Sequence, residues 1–203
     1  MSRMRTKIGT GFAAGLAIVM ILTFALACSG TKSYETDKAN KNVNAANVNV
    51  ENYNKIQTDI DAGLAKYNAV PDSTAGATQA LVILDEIEAN LNKQISEIDK
   101  AIQEFKAGKG LYISGEFKTY MQMLIDSATK RQESSKVSIQ IIQERKKQVQ
   151  SVVDGTGTQA TDAATDAAIA ALALQETKSF DEAKALKEKA DAYYKDKSLG
   201  GTK

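Results

Sequence analysis

Apolar residues recur every three or four positions along most of this chain, and only three short breaks interrupt the pattern. This spacing is typical of helices that bury one stripe of side chains. Four long helical segments follow from it, at about residues 34–68, 75–106, 115–154 and 161–195. Short connections between long helices favour antiparallel neighbours. The sequence therefore predicts an all-α fold: an elongated, antiparallel, coiled-coil-like bundle of about four long helices, spanning residues 34–197.

The three breaks contain residues that stop helices. Pro71 is the only proline of the chain, and it disfavours helical geometry at the residue before it. Asp72 or Ser73 can then cap the second helix with a side-chain oxygen. The other two breaks are rich in glycine, which readily adopts the left-handed conformation that ends many helices. We expect the second helix to end in that conformation at Gly108 and Gly110, and the third helix to end at residues 155–157.

The first segment combines a regular apolar seam with many asparagines. Its seam residues alternate in steps of four and three, with Gln57 as the one polar member. Seven asparagines between positions 40 and 54 all fall outside that seam. Asparagine is a poor helix former, so two interpretations stay open for the beginning of this segment. It is either a helix that packing holds in place, or a solvated, disordered tether up to about Asn49.

The composition narrows the classes of function. The chain has 26 Lys and Arg residues against 25 Asp and Glu residues, and the two signs are mixed along it. A surface for nucleic acid needs a basic stripe or patch, so nucleic acid is not an expected partner. There is no histidine, the commonest general base and metal ligand, and Cys28 is the only cysteine. A lone cysteine forms no intramolecular disulfide and needs its own explanation.

The first 27 residues have the three-part layout of a secretory signal peptide. Residues 2–7 are basic, with two arginines and one lysine. Residues 8–27 carry no charge and contain an apolar centre. A small residue, Ala27, then stands directly before Cys28. This arrangement predicts export from the cytoplasm and removal of residues 1–27.

The end of this segment resembles the lipobox of bacterial lipoprotein precursors. The resemblance covers about the first 30 residues, and it departs from the usual pattern at Ala25, where leucine is favoured. It implies cleavage between Ala27 and Cys28, acylation of the Cys28 thiol, and a short tether over residues 28–33. Two or more acyl chains are enough to anchor a protein stably to a membrane.

The residue after the cysteine bears on the location of the protein. In Gram-negative lipoproteins an aspartate at that position retains the protein in the inner membrane. This chain has Ser29 there, so the resemblance implies the outer membrane if the host is Gram-negative. The alternative is an uncleaved signal anchor, because an uncharged stretch of about 20 residues can also span a bilayer. The basic flank lies on the cytoplasmic side in both cases.

No group of residues in the mature chain has the spacing of a catalytic or metal site. Without histidine, and with Cys28 carrying lipid, the usual bases and thiol nucleophiles are missing. Carboxylates do cluster on the predicted helices: Asp59 with Asp61, Asp85 and Glu86 with Glu88, and Asp162 with Asp166. We interpret these clusters as solvated helix faces with lysine partners one turn away. We therefore predict no enzyme activity, no metal and no cofactor.

The candidate ligand site consists of tyrosine side chains. Their rings would line a cleft between helices and present hydroxyls to a small molecule. The residues concerned are Tyr53, Tyr67, Tyr120 and Tyr193, with Tyr194 beside the last. The alternative is that these tyrosines are half-buried core residues whose hydroxyls reach water.

Three polar residues stand at seam positions: Gln57, Gln132 and Ser135. A polar residue in an apolar seam can fix the register of the helices or their oligomeric state. The alternative is that these side chains simply face solvent.

These patterns favour a lipid-anchored, non-enzymatic helical scaffold or interaction module of the cell envelope, in the periplasm or on the cell surface. Its expected partners are the membrane, through the lipid on Cys28, and an envelope protein that docks on exposed apolar flanks or on the ends of the bundle. Association with further copies of the chain, as a homo-oligomer, stays open. The alternative is a lipoprotein that binds a small ligand in a tyrosine-lined cleft between its helices. Residues 198–203 are expected to form a frayed tail.

Overall fold

The structure, a computed structural model, describes residues 34–197 and residue 199, and this part of the chain is all-α. Its four helices are α1 (Tyr34–Ala69), α2 (Thr74–Lys109), α3 (Gly115–Val153) and α4 (Gln159–Asp196). They contain 36, 36, 39 and 38 residues, which corresponds to lengths of about 54–59 Å. The prediction of an all-α bundle of four long helices is confirmed. The predicted signal peptide, the tether that begins at Cys28 and most of the predicted tail lie outside the described residues.

Each helix packs mainly against the next helix in sequence, and neighbouring helices run in opposite directions. Two bonds between α2 and α3 show the direction: Gln132 donates to Asp99, and Gln143 donates to Glu88 at 2.8 Å. The residue number rises by 11 along α3 while it falls by 11 along α2. The bundle has two ends, which we name by the helix termini located there. The near end holds Tyr34, Lys109, Gly115 and Asp196, and the far end holds Ala69, Thr74, Val153 and Gln159.

Hydroxyl side chains cap the three helices that follow a connection. Each hydroxyl oxygen accepts a hydrogen bond from a backbone N–H in the first turn, which satisfies a group that the helix leaves unpaired. The bonded pairs are Ser73 with Gly76 at 3.0 Å, Ser114 with Phe117 at 3.2 Å, and Thr158 with Thr161 at 3.2 Å. Of the two residues expected to cap α2, Ser73 is therefore the one that does so.

Glycine ends α3 as expected, but it does not end α2 in the expected conformation. Gly155 has a φ of +65° and follows α3 in the left-handed region. Gly110, which caps α2, has a φ of −69° and is right-handed. Gly108 lies inside α2, where an added Cβ would lie 2.7 Å from Cε of Met121. Gly108 therefore permits a close approach of α2 to α3 rather than a turn.

The apolar seams bury their side chains in two main clusters. The near cluster, at the near end, joins all four helices, and its largest fully buried side chains are Phe105, Tyr120, Met121 and Leu124. The far cluster joins α1, α2 and α3 toward the far end, and its largest fully buried side chains are Ile60, Tyr67, Leu84, Ile87 and Ile142. A smaller cluster between α3 and α4 contains Val137, Ile141 and Ile169.

The beginning of α1 is helical and packed, so the alternative of a disordered tether up to about Asn49 is wrong. Ala39, Val43 and Ala46 are fully buried in the near cluster. Most helical stability in proteins comes from such packing, and here it offsets the weak helix propensity of the asparagines. Asn47 departs from the expected pattern, because it is also buried and its Oδ1 atom has no hydrogen-bond partner.

The turn before α2 leaves no room for a side chain at Gly76. A Cβ atom there would lie 2.0 Å from the carbonyl oxygen of Pro71, so the backbone of the turn would have to move. We expect Gly76→Ala to lower the free energy of unfolding by about 1–3 kcal/mol, measured by urea unfolding with circular dichroism. The control is Gly115→Ala, where no atom lies within 4 Å of the added Cβ. Equal stability of the two variants would contradict this prediction.

Candidate functional site

A layer of polar side chains crosses the middle of the bundle, between the near and far clusters. Its centre is Gln94 on α2, which is 1% exposed. Nε2 of Gln94 donates to Oε1 of Gln57 at 2.9 Å and to the backbone carbonyl of Tyr53 at 3.2 Å, both on α1. The Tyr53 hydroxyl lies 3.3 Å from Oγ of Ser135 on α3. We name these four residues, Tyr53, Gln57, Gln94 and Ser135, the central polar layer.

The polar seam residues lie in or beside this layer and do not simply face solvent. Gln57 and Ser135 face inward and bond to residues of other helices. Gln132 is partly buried beside the layer and donates to Asp99 of α2. A hydrogen-bonded layer inside an apolar seam fits only one helix register, because a shifted register would leave its polar groups unpaired. We therefore infer that these residues fix the register of α1, α2 and α3.

Arg131 extends the central polar layer toward α4. Its guanidinium carbon lies 4.3 Å from the centre of the Phe180 ring on α4 and 5.8 Å from the centre of the Tyr53 ring on α1. Both distances fall within the range of cation–π attraction. A single side chain of α3 thus connects the first helix with the last.

Several polar pairs cross the interface between α3 and α4. The pairs that cross it are Ser127 Oγ with the Ala183 carbonyl (2.7 Å), Ser138 with Glu176, Arg145 with Asp166 (3.2 Å), and Lys130 with Glu182 (3.2 Å). Lys187 of α4 is also buried and pairs with Asp191 one turn later. Alanine contributes little apolar area, so these polar partners add to the apolar contacts that Ile169 and Tyr194 make with α3.

The Glu176 carboxyl group is a weaker acid than an ordinary carboxyl group. Burial raises the pKa of the Glu176 carboxyl from 4.5 to about 7, and the hydrogen bond from the Ser138 hydroxyl opposes the shift only in part. Leu172 and Ala173, one turn earlier on α4, pack against the small apolar cluster between α3 and α4. A perturbed carboxyl is a candidate catalytic group only when reactive partners converge on it. The partner that bonds Glu176 is the hydroxyl of a buried serine, so we interpret the pair as structural.

The structure does not bring the four tyrosines of the predicted cleft together. Tyr53 lies in the central polar layer and Tyr67 lies in the far cluster, about 21 Å further along α1. Tyr120 lies in the near cluster, and Tyr193 packs against the edge of that cluster. The exposed fractions of Tyr53, Tyr67 and Tyr120 are 7%, 2% and 0%. These three rings therefore fill the core instead of lining an open cleft.

Tyr120 does meet another tyrosine, Tyr194 of α4. The two ring centres are 5.0 Å apart with the planes tilted by 47°, within the usual range for aromatic pairs. The Tyr120 hydroxyl is buried without a hydrogen-bond partner. Its burial, together with the nearby Asp191 carboxylate, raises the pKa of Tyr120 far above its ordinary value. The Tyr120 hydroxyl therefore stays neutral.

A small cavity lies beside Tyr67 at the far end. Its walls include Ser73, Ala77, Val149 and Asp162. Its volume of about 20 Å³ is room for about one water molecule. Sites for small molecules usually measure about 300–1,000 Å³, so this cavity does not have the size of a ligand site.

One predicted carboxylate cluster takes part in an ion-pair network between helices. Lys146 of α3 contacts Asp85 at 2.5 Å and Glu88 at 2.9 Å, both on α2. Hydrogen bonds from Gln143 and Lys146 lower the pKa of Glu88. The expectation of lysine partners one turn away on the same helix is therefore wrong for this cluster. In the described part of the chain, no group of three or more acidic or other candidate ligands could hold a metal ion.

The polar residues that sequence reasoning missed include the buried Gln94, Arg145 and Lys187 and the partly buried Glu176. A signal was present for three of them, because each stands at a step of three or four inside an apolar stripe. The relevant triplets are Leu91–Gln94–Ile98, Ile142–Arg145–Val149 and Ala183–Lys187–Ala190. In α3 the buried side chain is that of Arg145, whereas its neighbour Lys146 lies at the surface of the interface with α2.

Comparisons of the chain with models of protein families, with curated proteins and with solved structures found no match. Among the described helices, none combines the length and the apolar character that crossing a membrane requires. Chemically, the arrangement is suited to hold helices to one another, since most of its polar groups face each other or backbone carbonyls.

Proposed function

We propose that this chain is a lipid-anchored, non-enzymatic helical scaffold or interaction module of the cell envelope, with an acylated Cys28 as its anchor. The observation that carries the proposal is the position of the first helix. α1 begins at Tyr34, six residues after Cys28, and runs the whole length of the bundle. The near end is therefore tied to the anchor by at most about 20 Å of chain. The far end lies about 54 Å further along α1.

The interior of the bundle supports a structural role over ligand binding. Gln57 and Gln94 bond to each other, and Tyr53 bonds to Ser135, so the central polar layer is occupied by its own side chains. The alternative of a tyrosine-lined cleft has less support, because its rings are buried at three different levels of the bundle.

The exposed apolar residues argue against docking on a flank of the bundle. The exposed large hydrophobic side chains in the described part lie on four different elements: Val48 on α1, Val82 on α2, Tyr112 before α3 and Leu174 on α4. Protein docking surfaces usually present a contiguous apolar patch instead. We therefore propose that an envelope protein docks at the far end, which the anchor holds away from the membrane.

The proposed location follows from the anchor and from Ser29. A lipid-bearing, exported chain lies in the cell envelope, on the side of the membrane facing away from the cytoplasm. With Ser29 after the cysteine, the outer membrane is the proposed location if the host is Gram-negative.

We expect Cys28→Ala to abolish lipid labelling and to leave a larger, unprocessed protein in the native host. Acylation needs the Cys28 thiol, and in lipoprotein precursors the cut is made directly before the acylated residue. The measurement is metabolic labelling with an alkyne fatty acid, followed by gel mobility and mass spectrometry of the first peptide. Ser29→Ala keeps the thiol and serves as the control. A wild-type protein with an intact Met1 and a bare thiol would show that the anchor proposal is wrong.

The scaffold part of the proposal is tested on the anchored, full-length protein. A photo-cross-linking amino acid replaces Thr156, which is exposed in the far-end connection. The matched position is Glu86, which is exposed on the flank of α2. We expect a discrete adduct with an envelope protein from position 156 and none from position 86. Repeated failure to recover an adduct from either position would count against a scaffold.

A further inference from the structure

The connection between α2 and α3 presents an aromatic side chain to solvent at the near end. Tyr112 is 84% exposed, more than Val48, Val82 or Leu174, the other exposed large hydrophobic residues of the described part. Leu111 and Ile113 on either side are partly buried against the near cluster. The loop is thus fastened by two apolar side chains while the ring between them points away from the core.

This loop lies beside the beginning of α1. The backbone N–H of Tyr112 donates a hydrogen bond to the carboxylate of Glu35, in the first turn of α1. Six residue steps separate Cys28 from Tyr34, and they span at most about 20 Å. A lipid on Cys28 would therefore keep the exposed ring of Tyr112 close to the bilayer surface.

The near end also carries an excess of positive charge. In residues 34–41, 106–118 and 195–197 there are seven lysines and four carboxylates, a net charge of +3. The lysines are Lys38, Lys41, Lys106, Lys109, Lys118, Lys195 and Lys197. The far end, in residues 62–78 and 147–165, has two lysines and three aspartates, a net charge of −1. The two ends of the bundle therefore differ in the sign of their charge.

We propose that the Leu111–Ile113 loop contacts the headgroup region of an anionic phospholipid membrane, with the Tyr112 ring at the interface and the near-end lysines around it. This inference rests on the proposed acylation of Cys28. Tyrosine suits an interface because its ring is apolar while its hydroxyl stays hydrated. The lysines attract anionic headgroups over a distance of about a Debye length. With two points of contact, the lipid and the loop, the tilt of the bundle relative to the membrane is restricted.

The test uses tryptophan as a reporter, because the chain has none. Tyr112→Trp is introduced into the acylated, full-length protein, which is reconstituted in vesicles of phosphatidylglycerol and phosphatidylcholine with or without brominated acyl chains. We expect brominated lipid to reduce the Y112W emission by about twofold or more, since the indole ring prefers the interface. The matched control is Leu174→Trp. Leu174 is 75% exposed and lies about 33 Å along α4 from the near end, so its emission should change little.

The outcomes distinguish a failure of the loop contact from a failure of the anchor. Quenching of Y112W no stronger than that of L174W, in protein whose Cys28 carries lipid by mass spectrometry, would overturn the loop contact and leave the anchor intact. Quenching that is unchanged in vesicles without phosphatidylglycerol would refute the role of the lysines. Absence of lipid on Cys28 would overturn the proposed function and the loop contact with it.

Discussion

Replacing Gln94 with alanine is expected to lower the free energy of unfolding by about 2–4 kcal/mol. Gln94 is almost fully buried between the near and far clusters, so truncation leaves a cavity there. It also removes the hydrogen bonds to Gln57 and to the Tyr53 carbonyl. Urea unfolding of the full-length protein, followed by circular dichroism, measures the loss.

Two further variants of α2 identify the cause of that loss. Gln103→Ala, at an exposed position of the same helix, should change the free energy of unfolding by less than about 0.5 kcal/mol. Gln94→Leu keeps most of the volume, and we expect a loss of only about 1 kcal/mol, because the Tyr53 carbonyl still accepts its N–H bond within α1. A loss for Gln94→Leu as large as that for Gln94→Ala would show that the hydrogen bonds dominate over packing.

The second expected result is a gain of stability from Glu176→Gln that depends on pH. Burial raises the pKa of the Glu176 carboxyl from 4.5 to about 7, so its ionisation costs more in the folded protein than in the unfolded chain. The protonated carboxyl therefore favours the fold fully below pH 4.5, and this contribution is lost as the pH rises to about 7. At pH 8 the substitution should raise the free energy of unfolding by about 2–3 kcal/mol.

Urea unfolding of both proteins at several pH values between about 4 and 8 measures this effect. The difference in the free energy of unfolding between the two proteins should shrink toward zero near pH ~4, where Glu176 is protonated in both the folded and the unfolded state. The glutamine retains an acceptor for the Ser138 hydroxyl, so the hydrogen bond is preserved. Glu188→Gln, exposed on the same helix, controls for the loss of one negative charge. A Glu176→Gln protein less stable than the wild type at pH 8 would contradict the desolvation of Glu176.

The helices could be predicted because their signals are local. The steps of three and four between apolar residues, with breaks at proline and glycine, predicted α2 over residues 75–106, and it spans Thr74–Lys109. The small difference arises at the ends, where the cap by Ser73 and the right-handed Gly110 extend the helix. Helix ends depend on such individual contacts, so they follow less directly from periodicity.

The central polar layer could be predicted only in part. Gln57 and Ser135 were recognisable as polar members of apolar seams. Gln94, which bonds to Gln57 and to the Tyr53 carbonyl, has the same side chain as several surface glutamines. Only the register of α2 against α1 shows that Gln94 faces Gln57, and that register is a property of the assembled bundle.

The positions of the tyrosines could also be predicted only in part. Helical spacing indicates which face of a helix a ring lies on, but not its level along the neighbouring helices. Tyr67 and Tyr120 both lie on buried faces, as their spacing suggests, yet they belong to clusters at opposite ends of the bundle. Rings that share a cleft must lie on facing sides of their helices and at the same level of the bundle. The sequence indicates the face but not the level.

In the described part of α4, Ile169, Ala183 and Ala190 are buried, and Leu172, Tyr193 and Tyr194 are partly buried. Separating α4 from α3 would uncover these residues. It would also return groups such as Ser138 and Arg145 to water, which recovers the hydration that they lose on burial. The other three helices would keep the far cluster and most of the near cluster. We therefore expect amide hydrogens of α4 to exchange with solvent sooner than those of α1 to α3. α4 is thus the helix that we expect to open first.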